Sequence, residues 1–365
     1  MPRYTLAFLC GTLAATAAAD LNHRDAVSVV DAPAGMVWIP PGTFEMGSDA
    51  DWAWSNERPA HRIETSGFWI DETEVTNDQF AAFVAATGYV TVAERPVDWE
   101  ELKTQVPPGT PKPPPEMLQP GALVFRPTAG PVALNQPGRW WHWTDGADWQ
   151  HPEGPNSDLD GRGTHPVVHV AWSDAAAYAA WAGKRLPTEA QWERAARGTT
   201  QTRYTWGDEL KTDAVNTWTG QFPHKNTKED GFFRTAPVKS YPPNDFGVYE
   251  TAGNVWEWCR DLYRDDRNAQ LAELGTPDDP PKDPPLPETA SDAANPGAAT
   301  RVIKGGSYLC HVDYCESYRP SARRGTTADT GLSHTGFRCV IEPGAGSKVK
   351  SGLTGPALRS DADEK

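Results

Sequence analysis

Positive charge, sulfur and long apolar runs are what this 365-residue sequence has least of. Lysine and arginine total 34 against 49 aspartate and glutamate, a formal net charge of −15. Phosphate backbones are gripped by basic stripes, so this balance excludes a nucleic-acid partner. It leaves a basic peptide substrate open, although surface acidity most often serves solvation. No apolar stretch approaches the roughly 20 residues of a membrane-spanning helix. The longest candidate, Thr5 to Ala15, follows Arg3 and precedes the small residues Ala17-Ala18-Ala19. That order reads as a secretory signal over residues 1–19. Cys10 lacks the small residues expected ahead of a lipidated cysteine, so no membrane anchor is expected. The mature chain is expected to be exported, periplasmic or secreted, where disulfides are permitted. Cysteine itself is scarce: five in all, and Cys10 lies in the signal.

What is abundant is tryptophan (16), proline (34) and glycine (32), so much of the apolar material is aromatic and much of the chain is turn-forming. After a leader over 20–33, strands are expected at 36–39, 43–46 and 68–70. A helix begins at Thr76, where Gln79 completes a capping box, and Gly88 stops it; Phe80, Phe83 and Val84 share its face. A second runs from near Ser173 to Gly183. A third is capped by Thr188 and Gln191 and ends at Gly198. Residues 101–165 are expected to lack regular structure, with Trp140, Trp141, Trp143 and Trp149 anchoring the segment to the core. Residues 265–299 read as an exposed, acidic, Pro-rich insertion. The tail over 344–365 is polar and expected to be disordered. One α+β domain over 34–343 accounts for the rest.

Two of the four remaining cysteines sit on one short run, Lys304-Gly-Gly-Ser-Tyr-Leu-Cys-His-Val-Asp-Tyr-Cys315. Thiolates are soft ligands for Cu(I) or zinc and are redox groups. Cys310 and Cys315 do not have the spacing of a CxxC zinc site. Spacing alone leaves a structural disulfide and a reaction centre both open. Two such thiolates can hold Cu(I) in linear two-coordination, with a position left for a third soft ligand such as a substrate cysteine. His311 is kept out of that shell, because a lone histidine is more often a structural group. Cys259 and Cys339 form either a disulfide or two buried free thiols.

Several stretches together resemble the formylglycine-generating enzyme (sulfatase-modifying factor) family. They are Ile39-Pro-Pro-Gly-Thr-Phe-Glu-Met-Gly-Ser48, Glu74-Val-Thr-Asn77, His165-Pro-Val-Val-His-Val-Ala-Trp172 and Gly183-Lys-Arg-Leu-Pro-Thr-Glu-Ala-Gln-Trp192. Asn216 to Gly231, Gly253-Asn-Val-Trp-Glu-Trp258 and Gly336-Phe-Arg-Cys339 follow. Most of these mark a fold that hosts several chemistries; the Cys310/Cys315 pair after Gly-Gly-Ser marks the catalytic subfamily.

The resemblance implies a C-type-lectin-like variant with little regular secondary structure. It implies oxidation of a cysteine within Cys-x-Pro-x-Arg of an unfolded sulfatase to Cα-formylglycine. Molecular oxygen is the oxidant, a thiol reductant supplies the remaining electrons, and Cys310 and Cys315 are the copper ligands. Ser307, Trp256 and Tyr314 are the implied neighbours of the reaction. It also implies two Ca²⁺ sites, of the hard-oxygen kind. One uses Asn216, the Thr217 carbonyl, Asp230 and the Phe232 carbonyl. The other uses Glu250, the Gly253 and Val255 carbonyls and Glu257. A monomer is expected. In some members the counterpart of Cys339 pairs with a cysteine in the second helix; here Ala179 stands there.

The chain departs from the family around the thiols. Asp313 replaces a serine before Tyr314. Two arginines usually flank the tyrosine after the second cysteine, whereas Glu316-Ser-Tyr-Arg-Pro320 keeps only Arg319. His334 replaces an asparagine. Two other readings compete with the copper enzyme. One is a lectin-like binding protein in which Cys310 and Cys315 form a stabilising disulfide. The other is a His-rich iron oxidase on the same fold. His165 and His169 have a metal-like spacing but are expected to flank a strand, which counts against the iron enzyme.

Overall fold

The computed structural model describes residues 32–104 and 109–343; the expected signal, most of the leader and the polar tail lie outside them. Elements are numbered in chain order: β1 (Met36–Ile39), β2 (Gly42–Met46), β3 (His61–Thr65), β4 (Phe68–Asp71), α1 (Asn77–Thr87), α2 (Trp99–Leu102), β5 (Gly121–Phe125) and β6 (Trp141–Asp145). Next come α3 (Trp172–Trp181), α4 (Glu189–Arg197), β7 (Gly220–Gln221), β8 (Lys225–Asn226), β9 (Trp256–Leu262) and α5 (Arg267–Glu273). The last four are β10 (Thr300–Lys304), β11 (Arg324–Thr327), β12 (Thr335–Gly336) and β13 (Val340–Ile341). The architecture is α+β, with short strands and long connections.

The helix signals read from the sequence act as capping theory requires. Thr76 accepts from the Gln79 amide while the Gln79 side chain accepts from the Thr76 amide, and Gly88 closes α1 in the left-handed region. Thr188 and Gln191 cap α4 in the same way. The first-strand expectations stand at β1, β2 and β4, with β1 antiparallel to β4 and β4 to β13.

Four expectations are corrected. Within 101–165, β5 and β6 pair antiparallel in full register, Gly121 opposite Asp145 through Phe125 opposite Trp141. The long Pro- and Gly-rich excursion between them hides this pairing from any local signal. Trp140 and Trp149 are buried, but Trp143 is 42% exposed. The acidic insertion begins with α5, whose Arg267, Asn268 and Leu271 are buried; Leu271 packs with Phe44, Met46 and Ile63. His165 and His169 flank loop rather than strand.

The site is positioned by the four-stranded sheet β11-β10-β9-β12. Register sets Lys304 opposite Glu257, Ile303 opposite Arg324, and Thr335 beside Trp256. The end of β10, the starts of β9 and β11 and the residue before β12 therefore meet at one place. Beneath it lies an aromatic core of Phe80, Phe83, Trp149, Tyr178, Trp256, Trp258 and Phe337, which also contains Cys310 and Cys315. Burial of each such ring contributes roughly 2–3 kcal/mol before ordering costs. Cys259 and Cys339 are buried free thiols in separate clusters, which decides the alternative left open above.

Candidate active site

β10 ends into Gly305 and Gly306, at φ +89° and +72°. A Cβ on Gly306 would stand 2.8 Å from the Tyr318 nitrogen, so both φ and space demand glycine there. This double-glycine turn brings Ser307 under the thiols. The Ser307 amide donates to Cys310 Sγ at 3.4 Å, and Ser307 Oγ accepts from the Leu309 amide at 3.2 Å. Between the cysteines, the amides of Tyr314 and Cys315 donate to the His311 carbonyl, at 3.0 and 2.7 Å. The resulting turn sets the two sulfurs 2.9 Å apart, both buried and unbonded.

The sulfurs border a pocket of about 200 Å³. Trp256, Ser307 and Tyr314, each singled out from the sequence, line it, together with Trp140, Phe222 and His334. The Tyr314 ring lies flat on Phe222, centroids 4.6 Å apart, and edge-on to Trp140. It contributes an apolar wall; its hydroxyl makes no hydrogen bond to the described residues. His334 stands edge-on to Trp141 at 4.7 Å, with Nδ1 at 3.2 Å from Thr335 Oγ1. Burial, with His169 and Arg324 adding to it, lowers its pKa to about 3, so the imidazole is neutral. His311 turns instead to Asp313, away from this lining.

The two thiols are not equivalent. The hydrogen bond between the two sulfurs lowers the Cys315 pKa, and Arg324 and Ser317 reinforce the effect against burial. Burial, and then the bond to Cys315, pushes Cys310 well up. The two sulfurs titrate as a unit, with Cys315 the more thiolate-like. Arg324 went unnoticed in the sequence. Its Nε is 3.4 Å from Ser317 Oγ and its guanidinium lies over Trp54 at 4.7 Å. One signal pointed to it: the doubled Arg323-Arg324 after the thiol loop.

Residues 23–343 match the sulfatase-modifying factor enzyme 1-like domain. The chain belongs to this family. A formylglycine-generating enzyme of Mycobacterium tuberculosis is 45% identical over 85% of this chain and 99% of its own length. A mouse relative, named as an inactive Cα-formylglycine-generating enzyme 2, is 34% identical over 85% of this chain and 86% of its own. Among solved structures, PvdO from Pseudomonas aeruginosa superposes with a TM-score of 0.55 at 23% identity, covering 84% of this chain and 94% of that one. That likeness speaks to the fold alone, the C-type-lectin-like α+β type of this family.

Two thiols suit a soft ion in donor chemistry. Their spacing does not suit a linear one, since two bonds of roughly 2.3 Å, the zinc–thiolate length, span more than 2.9 Å. Among the described residues, no group of three or more His, Cys, Asp or Glu side chains is arranged to hold a metal ion. The expected calcium residues cluster as two neighbouring loops, joined where the Asn254 amide donates to the Asn216 carbonyl. In the first loop, Asp230 accepts from the amides of Thr217 and Phe232 and has no cationic partner among the described residues. In the second, Glu257 is already engaged by Arg338, at 2.6 and 2.7 Å, and by Trp192 Nε1 at 2.8 Å. Glu250 is engaged only at Oε1, by a long bond of 3.5 Å from the Tyr241 amide; its Oε2 is buried without a hydrogen-bond partner, as is Oε1 of Glu74. Burial raises both carboxyls, Glu74 strongly and with Glu250 adding to its rise. Of the two glutamates expected at the second calcium site, Glu250 keeps an unpaired oxygen and Glu257 does not.

Proposed function

We propose that this chain oxidises a cysteine of an unfolded sulfatase, within a Cys-x-Pro-x-Arg segment, to Cα-formylglycine. Dioxygen is the oxidant, and Cu(I) is held by Cys310 and Cys315. That the chain is a formylglycine-generating oxidase rests on its 45% identity to such an enzyme across nearly the whole of that relative. The single observation that supports the copper reading is the pair of unbridged, buried thiols beside a pocket, soft donors whose sulfurs would have to move apart from 2.9 Å to seat the ion between them.

The reaction balances as follows. The substrate Cβ loses its thiol as hydrogen sulfide and gains one oxygen as the aldehyde. The other oxygen leaves as water. Of the four electrons dioxygen accepts, two come from the substrate and two from a pair of reductant thiols. Bound copper would supply a seat for the substrate thiolate and the activation of dioxygen. The protein's own groups prepare that seat. Cys315 is already biased toward thiolate, and the Ser307 amide steadies the Cys310 sulfur. The rings of Trp140, Phe222, Trp256 and Tyr314 give apolar walls to a pocket of about 200 Å³, large enough for one extended side chain. Such a pocket favours an unfolded segment over a folded surface. Ca²⁺ on the two loops of Asn216–Phe232 and Glu250–Glu257 has a structural role in this reading, and the chain acts as an exported monomer. Among the described residues, no helix is long and apolar enough to cross a membrane.

The competing reading, a non-catalytic relative with a Cys310–Cys315 disulfide, is favoured by the inactive mouse relative and by the closeness of the sulfurs. Alkylation of the purified protein under denaturing conditions separates the two. Two labelled thiols at 310 and 315 support the enzyme; a persistent bridge, with no aldehyde formed after reduction and copper loading, supports the binding protein.

A further inference from the structure

The arginines around the thiol loop differ in one respect. Arg319 is bidentate with Glu57 at 2.6 Å, Arg203 with Glu316 at 2.6 and 2.8 Å, and Arg323 with Glu189 at 2.6 and 2.8 Å. Each of these cations is neutralised by a carboxylate. Arg324 lines the pocket with the two cysteines, yet has no carboxylate within ion-pair distance among the described residues. Its one side-chain hydrogen bond goes to the Ser317 hydroxyl, and its flat face is covered by Trp54. A largely buried guanidinium without a counter-ion is costly. The sulfurs of Cys310 and Cys315 share that pocket lining with it, and the Cys315 sulfur touches the same Ser317 hydroxyl at 3.3 Å.

The arithmetic of the site matches this vacancy. Two thiolates around one Cu(I) leave one negative charge, and a substrate thiolate beside them leaves two. At partial burial such charge is expensive unless a cation stands close. Arg324 reaches over from the head of β11 to Ser317, two residues past Cys315. We propose that Arg324 is the counter-charge of the thiolate pair, a positioning residue that lowers the cost of seating Cu(I) on Cys310 and Cys315 and of bringing a third thiolate beside them.

This inference rests on the copper reading above, and one experiment separates the two. Cu(I) affinity of the full chain is measured anaerobically by competition with a chromogenic Cu(I) chelator, for the native protein, Arg324→Gln, Arg324→Lys and the double variant Ser317→Arg/Arg324→Gln. Arg324→Gln is expected to bind Cu(I) about ten- to a hundredfold more weakly. Arg324→Lys should regain most of the loss, and the relocated arginine of the double variant part of it. Recovery through charge at a different backbone position is not what a packing role would give. The KM for a cysteine peptide should follow the same order. If native protein binds Cu(I) through the two cysteines and Arg324→Gln binds it equally well, the role of Arg324 is refuted and the copper reading stands. If native protein shows no cysteine-dependent Cu(I) uptake, both fall.

Discussion

At the scale of single residues, the account turns on asymmetry between chemically identical side chains. Cys310 and Cys315 share a pocket, but the hydrogen bond between them and the Arg324 guanidinium lower Cys315, whereas Cys310 is raised by burial. In metal-free protein, limited alkylation should therefore modify Cys315 well before Cys310. Its rate should reach half-maximum below the pH of an ordinary thiol, about 8.5; peptide mapping of the labelled protein reads both. Equal labelling, or Cys310 first, contradicts the assignment. A second asymmetry lies between two glutamates. Glu257 is satisfied by Arg338 and Trp192, whereas Glu250 has an orphaned buried oxygen facing the charge of Glu74. Calcium removal with a chelator should lower the melting temperature of the native protein. Glu250→Gln should be more stable than native protein without calcium and respond much less to its addition. An unchanged calcium response in that variant would dismiss Glu250 as a ligand.

At the scale of elements, the thiol loop works because its entrance is two glycines. Gly306→Ala adds one methyl at a left-handed φ and 2.8 Å from backbone. It should abolish turnover and cut Cu(I) binding sharply, while the circular dichroism of the rest of the fold persists. The same scale explains what could be read in advance. Capped helices were legible because Thr76, Gln79 and Gly88, and Thr188 and Gln191, state their boundaries within one turn of chain. The thiol pair was legible because its residues lie five apart. The β5–β6 pairing was not, because fifteen residues separate Phe125 from Trp141 and no turn motif announces the return. α5 was masked by the acidic, Pro-rich composition that follows it. Arg324 was harder to read for a related reason: eight residues separate it from Cys315, and the β10–β11 register returns it to the pocket.

At the scale of the whole molecule, buried charge pairs tie the elements to one another. Arg338 joins β9 to the Gly336–Cys339 run through Glu257, with both side chains fully buried. Arg338→Ala would strand that carboxylate and should cost about 3–5 kcal/mol, readable as a lowered denaturant midpoint. Glu193 joins α4 to Lys304 at the end of β10. Burial alone would raise its pKa, but Lys304 and Arg197 overcome that and hold it at about 2, below the 4.5 of the unfolded chain. A depressed carboxyl stabilises the fold above its unfolded value and loses that contribution as pH falls toward its folded one. Stability should therefore decline between pH 4.5 and 2, by on the order of 3 kcal/mol from this group. The Lys304→Met variant should show a shallower decline. These ties hold the meeting point of β9, β10, β11 and β12 rigid, which the site requires. The central claim is that this meeting point is an oxidase, and mass spectrometry of one peptide tests it most directly. Native protein loaded with Cu(I), given oxygen, a thiol reductant and a peptide bearing Cys-x-Pro-x-Arg, should convert the cysteine to the aldehyde, and Cys310→Ala and Cys315→Ala should not. Full copper loading without aldehyde, or undiminished conversion by either variant, would contradict the account.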